Sequence, residues 1–307
     1  MKETLDIKEE IKKRLKQEPL ILDGAMGTML LRYNLPSGAC PEEWNLSNPE
    51  IIKDIHQQYL RAGAEVILTN TFGANRIKLN NFQLGDSVEK INISAVKLAK
   101  EAIQQVLASE KNKRFFVAAS LGPTGKLLEP YGELKKEEVY DNYQEQISIL
   151  DQAKVDLLIL ETFFDLEEIK LALQAAKENS DLMVIASMTF TQNIKTIYGI
   201  SPERAVKELE AEGADGVGAN CGAGPEVLYS VLKEMKKFSN SFLLVEPNAG
   251  MPEVIAGKIN YPANPETMAF YSQKFKQLGV NLIGGCCGTT PLHIKAISDK
   301  IKNKRIF

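Results

Sequence analysis

The stretch "NLIGGCCGTT" (281–290) sets Cys286 and Cys287 side by side among glycines, and "GANCGAG" (218–224) holds a third cysteine, Cys221. Three thiolates on a tetrahedral zinc leave its fourth position open, the arrangement of a catalytic rather than a structural site. An incidental pair, a redox couple or a disulfide between the neighbours are the alternatives, and the disulfide leaves Cys221 unexplained. Cys40, in the loop "RYNLPSGACPEEW" (32–44), has no comparable partner and reads as incidental. The only two histidines, His56 and His293, fall in helical patterns, which argues against a histidine-based nucleophilic triad. No GxxxxGK[ST] or GxGxxG string occurs, so nothing marks a nucleotide site. The chemistry then rests on a metal and on carboxylates.

These residues need elements to bring them together. Short apolar runs alternate with helical patterns: 19–24, 65–70, 115–122, 155–162, 182–190, 214–221, 242–248 and 280–287. Most are continuously apolar, as parallel strands covered on both faces require. Eight such βα units without a linker or composition break predict an α/β fold, a single (β/α)8 TIM barrel over 1–307. An open doubly wound sheet is the alternative. An extra N-terminal helix (Ile7, Ile11, Leu15) is expected to cover the barrel bottom. Asp86 with Glu89 and Asp165 with Glu168 read as capping boxes. Asn48, Ser201, Asn264 and Thr290 each read as a cap before a proline. In the following helix Val88, Ile91, Ala95, Leu98, Ala102 and Val106 form one apolar stripe.

Barrel sites lie at the C-terminal ends of the strands. There the sequence places Asp23, Thr69, Asn70, Ser120, Glu161, Cys221, Glu246, Asn248, Cys286 and Cys287. On a regular strand neighbouring side chains face opposite ways, so Cys286 and Cys287 share a target only if the backbone departs from the strand. Gly284, Gly285 and Gly288 allow that departure. If strands six, seven and eight are neighbours, the three sulfurs meet above strand seven. Trp44 is either an aromatic lid over the site or the anchor of its own long loop.

Composition narrows the partners. With 37 basic against 40 acidic residues, a net charge of −3 and no basic block, nucleic acid is not expected. The N-terminus "MKETLDIKEEIKKRLKQEP" has no apolar core, and no run approaches the roughly 20 apolar residues of a membrane span. A cytoplasmic protein without a disulfide framework is expected.

"LDGAMGT" (22–28), "TNTFGAN" (69–75), "LGPTG" (121–125), "ETF" (161–163), "GANCGAGPE" (218–226) and "GGCCGTTP" (284–291) together resemble the homocysteine S-methyltransferases. The motifs run in order through nearly the whole chain. The resemblance implies one zinc per chain on Cys221, Cys286 and Cys287, with the L-homocysteine sulfur joining as a thiolate that is methylated to L-methionine. It implies Asp23 and Glu161 for the substrate ammonium, and backbone N–H groups of Gly24, Ala25 and Met26 for its carboxylate. Asn70 and Ser120 complete the expected substrate contacts, and Asn248 is expected to supply an oxygen to the open metal position. Strings 121–147 and 220–228 look closer to the homocysteine-binding module of cobalamin-dependent methionine synthase than to the betaine branch. Methylcobalamin is therefore the expected donor, with S-methylmethionine or betaine as alternatives. No D-x-H-x-x-G loop is present; the nearest string, Asp54 to Tyr59, lacks the glycine and leaves His56 structural. The barrel is expected to be complete by Phe307, so cobalamin or folate modules, or a separate corrinoid protein, would be its partners. A non-catalytic zinc or thiol sensor is the reading from another class, and an ammonium pocket beside the thiols argues against it.

Overall fold

The computed structural model describes residues 2–110, 113–255 and 258–302. All eight expected runs carry a strand of one parallel sheet: Leu20–Ile21, Val66–Leu68, Phe116–Leu121, Leu157–Phe163, Met183–Met188, Gly216–Asn220, Phe242–Glu246 and Leu282–Ile283. Each pairs with its sequence neighbour, and the last pairs with the first. A Leu22–Val66 bridge joins the first to the second and closes the barrel. This is the (β/α)8 architecture expected above.

Buried side chains sort by strand parity into two layers. Leu20, Leu22, Val66, Phe116, Ala118, Leu157, Ile159, Met183, Ile185, Leu244 and Leu282 fill the barrel interior. Their strand neighbours Ile21, Ile67, Val117, Leu158, Val184, Leu243 and Ile283 face the helices. One more inward step up strands three, four, five and seven reaches Ser120, Glu161, Ser187 and Glu246, all polar. Gly218 and Asn220 follow the same parity, and a Cβ at Gly218 would stand 2.8 Å from the Cβ of Leu244.

The N-terminal helix Lys2–Gln17 plugs the bottom, as its apolar stripe predicts: Ile11 and Leu15 are buried in the interior cluster. Ion pairs to the strand starts lash it there, Lys8 to Asp215 at 3.0 Å and Arg14 to Glu65 at 2.8 Å. Among the described residues no helix is long and apolar enough to cross a membrane.

The helix caps are partly as read. Ser201 and Asn264 accept the N–H of Arg204 and Thr267, and Thr290 exchanges bonds with His293. Asp165 caps its helix alone, because Glu168 is drawn instead to the Thr124 N–H and hydroxyl, each at 2.7 Å. Asp86 caps nothing: it lies in the 3-10 turn Gly85–Ser87, which moves the cap position on to Ser87. Asn48 precedes its proline but turns its amide to the Ser47 hydroxyl. A hairpin, Glu253–Ile255 with Lys258–Asn260, interrupts the loop after strand seven and was not foreseen.

Candidate active site

Strand order places strand seven between strands six and eight. The sulfurs of Cys221, Cys286 and Cys287 all lie within 4.8 Å of one another, and Cys221 and Cys287 stand 3.9 Å apart. Two backbone departures bring this about. Strand eight ends at Ile283, and the chain then turns so that the Cys286 N–H donates to Pro247 O (2.8 Å) and the Cys287 carbonyl accepts from Ala249 N–H (2.9 Å). Asn220 faces inward, so alternation would turn Cys221 outward. Left-handed backbone at Cys221 (φ 56°) and Gly222 (φ 68°) turns it back. At Gly222 only glycine fits, since a Cβ would stand 2.5 Å from Thr189 Cγ2.

A zinc tetrahedron with bonds of about 2.3 Å spaces its sulfurs about 3.8 Å apart. The Cys221–Cys287 separation of 3.9 Å suits that donor set. Asn248, two residues past the end of strand seven, has its Oδ1 buried with no partner among the described residues. The thiols share protons unequally: hydrogen bonds from Cys221 and Cys286 push Cys287 down to about 3. Cys286 is held well above the ordinary range, first by its bond to Cys221. Cys40 lies in a separate small cluster, its thiol 3.3 Å from Glu42 Oε2 and pushed up to about 12 by burial.

The carboxylates occupy the same mouth. Glu161 accepts from Ser120 Oγ at 2.6 Å and from Asn220 Nδ2 at 3.1 Å. Burial pushes it up to about 7 against the pull of the Ser120 bond. Asn220 also accepts from the Thr162 N–H and the Ser187 hydroxyl and donates to the Thr162 hydroxyl. This network holds Thr162 at a positive φ of 63° beside the register break in strand four. Asp23 is buried, accepts the Leu68 N–H at 3.0 Å and is raised well above the carboxylate range by burial.

The loop after strand one is stitched to the cysteine loop. Gly285 N–H donates to Asp23 O, Ala25 N–H to Thr289 Oγ1, Gly288 N–H to Thr28 Oγ1, and Tyr59 OH to Ala25 O. The Ala25 N–H is thus committed within the protein. Those of Gly24 and Met26 have no acceptor among the described residues. Gly24 must be glycine here, because a Cβ would lie 2.7 Å from Thr289 Oγ1. The Asn70 amide nitrogen is committed to Pro41 O and Asn45 Oδ1, so it positions the first loop. Trp44 in that loop is buried in the main core, the anchor rather than the lid.

Sequence reasoning named Glu246 as a strand end without giving it a role, and missed Asn220, Thr289 and Tyr59. The first two lie on strands apolar on both faces, so only the closed sheet shows that they face inward. The last two have no sequence signal.

The profile described as homocysteine S-methyltransferase matches residues 20–301. Among solved structures, the homocysteine methyltransferase MmuM from Escherichia coli superposes in its metallated and oxidized forms with a TM-score of 0.80. Each of these is 24% identical, over 93% of this chain and 97% of that one. Its apo form gives 0.73 at 25% identity over the same shares.

Proposed function

The chain belongs to the homocysteine S-methyltransferase family, and from that premise we propose that it methylates L-homocysteine to L-methionine on a zinc site of Cys221, Cys286 and Cys287. One observation carries this reading: three thiol sulfurs within 4.8 Å of one another share the barrel mouth with the buried carboxylate Asp23 and the half-buried carboxylate Glu161. Thiols gather a soft metal and carboxylates gather an ammonium. A substrate with a thiol at one end and an ammonium at the other suits both poles. A zinc ion held there would acidify the substrate thiol, supplying a thiolate nucleophile at neutral pH without a histidine base.

The chain's own residues orient that substrate. Asp23 and Glu161 accept from its ammonium, while Ser120 and Asn220 keep the Glu161 carboxylate in place. The Gly24 and Met26 N–H groups are the donors left for its carboxylate. Asn248 Oδ1, buried without a partner, is the oxygen donor for the metal when homocysteine is away. We read residues 1–307 as one domain working in the cytoplasm.

For the donor, the strings at 121–147 and 220–228 favour methylcobalamin, presented by another module or by a separate corrinoid protein. The test is methionine formation from L-homocysteine with free methylcobalamin, S-methylmethionine or betaine in parallel. Methylcobalamin should support slow turnover, because a tethered donor's effective concentration is missing. Turnover many times faster with either of the others refutes the donor and leaves the thiol chemistry standing. No methionine from any donor, with no homocysteine binding to zinc-loaded protein, refutes the whole reading.

A further inference from the structure

One buried acid in the barrel mouth has no task in the scheme above. Glu246 ends strand seven, pairs in register with Asn220 and faces inward two residues beyond Leu244. It is 3% exposed, and its Oε2 is buried with no hydrogen-bond partner among the described residues. Gly284 packs between it and Asp23: a Cβ there would stand in ordinary contact with Glu246 Cγ, at 3.5 Å, and only 2.9 Å from the Asp23 carbonyl oxygen. Its strongest acidic neighbours are Glu161, then Asp23, then Cys221. Glu246 therefore stands with the two carboxylates: Gly284 lies between it and Asp23, and its strand partner Asn220 donates to Glu161.

The other two acids have protein donors, Leu68 N–H for Asp23 and Ser120 with Asn220 for Glu161. No lysine or arginine forms an ion pair with any of the three among the described residues. A buried acceptor left bare is costly, and the cost is relieved when a donor arrives. An ammonium brings three N–H donors in a tetrahedral fan. Asp23 and Glu161 take two of them and leave the third without an acceptor.

We propose that Glu246 is the third carboxylate of the amine pocket, so that the substrate ammonium meets one acid on each N–H. This rests on the amino-acid thiol reading above and deepens it. It makes the pocket selective for a primary ammonium: thiols without the amine, or with an alkylated one, leave a buried acid unpaired.

Calorimetric titration of zinc-loaded protein with L-homocysteine and with 4-sulfanylbutanoate, which lacks the amine, tests it. Glu246→Gln should weaken homocysteine binding about tenfold or more, the loss of a charge-assisted hydrogen bond. Zinc content and affinity for 4-sulfanylbutanoate should not change, so the ratio between the two thiols falls. A merely structural Glu246 would move both affinities together. On the unmodified protein, N,N-dimethylhomocysteine should bind about tenfold or more weakly than homocysteine, which keeps a test in hand if the variant does not fold. Glu246→Gln that keeps the full ratio while Asp23→Asn loses it overturns the inference and leaves the proposed function standing. Equal affinity for the dimethylated substrate also overturns it. If Asp23→Asn and Glu161→Gln keep the ratio as well, the amine pocket itself falls.

Discussion

Replacing His56 by leucine should flatten the acid limb of the stability curve. The residue lies in helix Pro49–Ala62, fully buried, and neither ring nitrogen has a partner among the described residues. Burial pushes its pKa down to about 4 from an ordinary 6.5. The native state therefore refuses a proton that the unfolded chain accepts. Stability from this group is complete above about pH 6.5, falls as the pH drops towards 4, and changes no further below that. With 1.36 kcal/mol per pH unit, the loss reaches about 2 kcal/mol by pH 5 and about 3 kcal/mol near pH 4. Leucine has similar bulk and no nitrogen to leave bare, so at pH 8 the variant should match or exceed the unmodified protein by about 1 kcal/mol. Urea unfolding followed by circular dichroism between pH 8 and 4.5 measures both curves. Other groups titrate alike in the two proteins, so their difference isolates His56. Parallel curves would refute the reasoning, because they would mean that the native state protonates His56 freely.

Two further outcomes bear on the site. Cys221→Ser, Cys286→Ser or Cys287→Ser should each strip most of the zinc measured by elemental analysis, whereas Cys40→Ser should retain it; full retention in all three would sink the metal site. Asn220→Ala removes the amide that joins Glu161, Thr162 and Ser187. It should cost about 2–4 kcal/mol of stability, from buried partners left bare, and should weaken homocysteine binding with zinc in place. Unchanged urea midpoint and affinity together would show that the network positions nothing.

The sequence by itself determined the barrel and the poles of its site. Eight apolar runs separated by helical patterns permit little else, and a polar residue ending such a run must emerge at the rim. That logic found Asp23, Glu161 and the three cysteines, because strand ends are marked by a change from apolar to polar. It also found the plugging helix, whose stripe of Ile11 and Leu15 matches their burial.

Tertiary structure decided which face of each strand looks inward. Both faces of a barrel strand are apolar, so the runs carry no alternation from which to read parity. Only in the closed sheet do Leu157, Ile159 and Glu161 fall on one side, and Leu244 with Glu246 likewise. Glu246 thereby became a wall of the site rather than another strand end. The same holds for the left-handed turn at Cys221, the bond from Ala25 to Thr289 and the diversion of Glu168 to Thr124. Each depends on a partner distant in sequence, which local pattern does not encode and chain closure supplies.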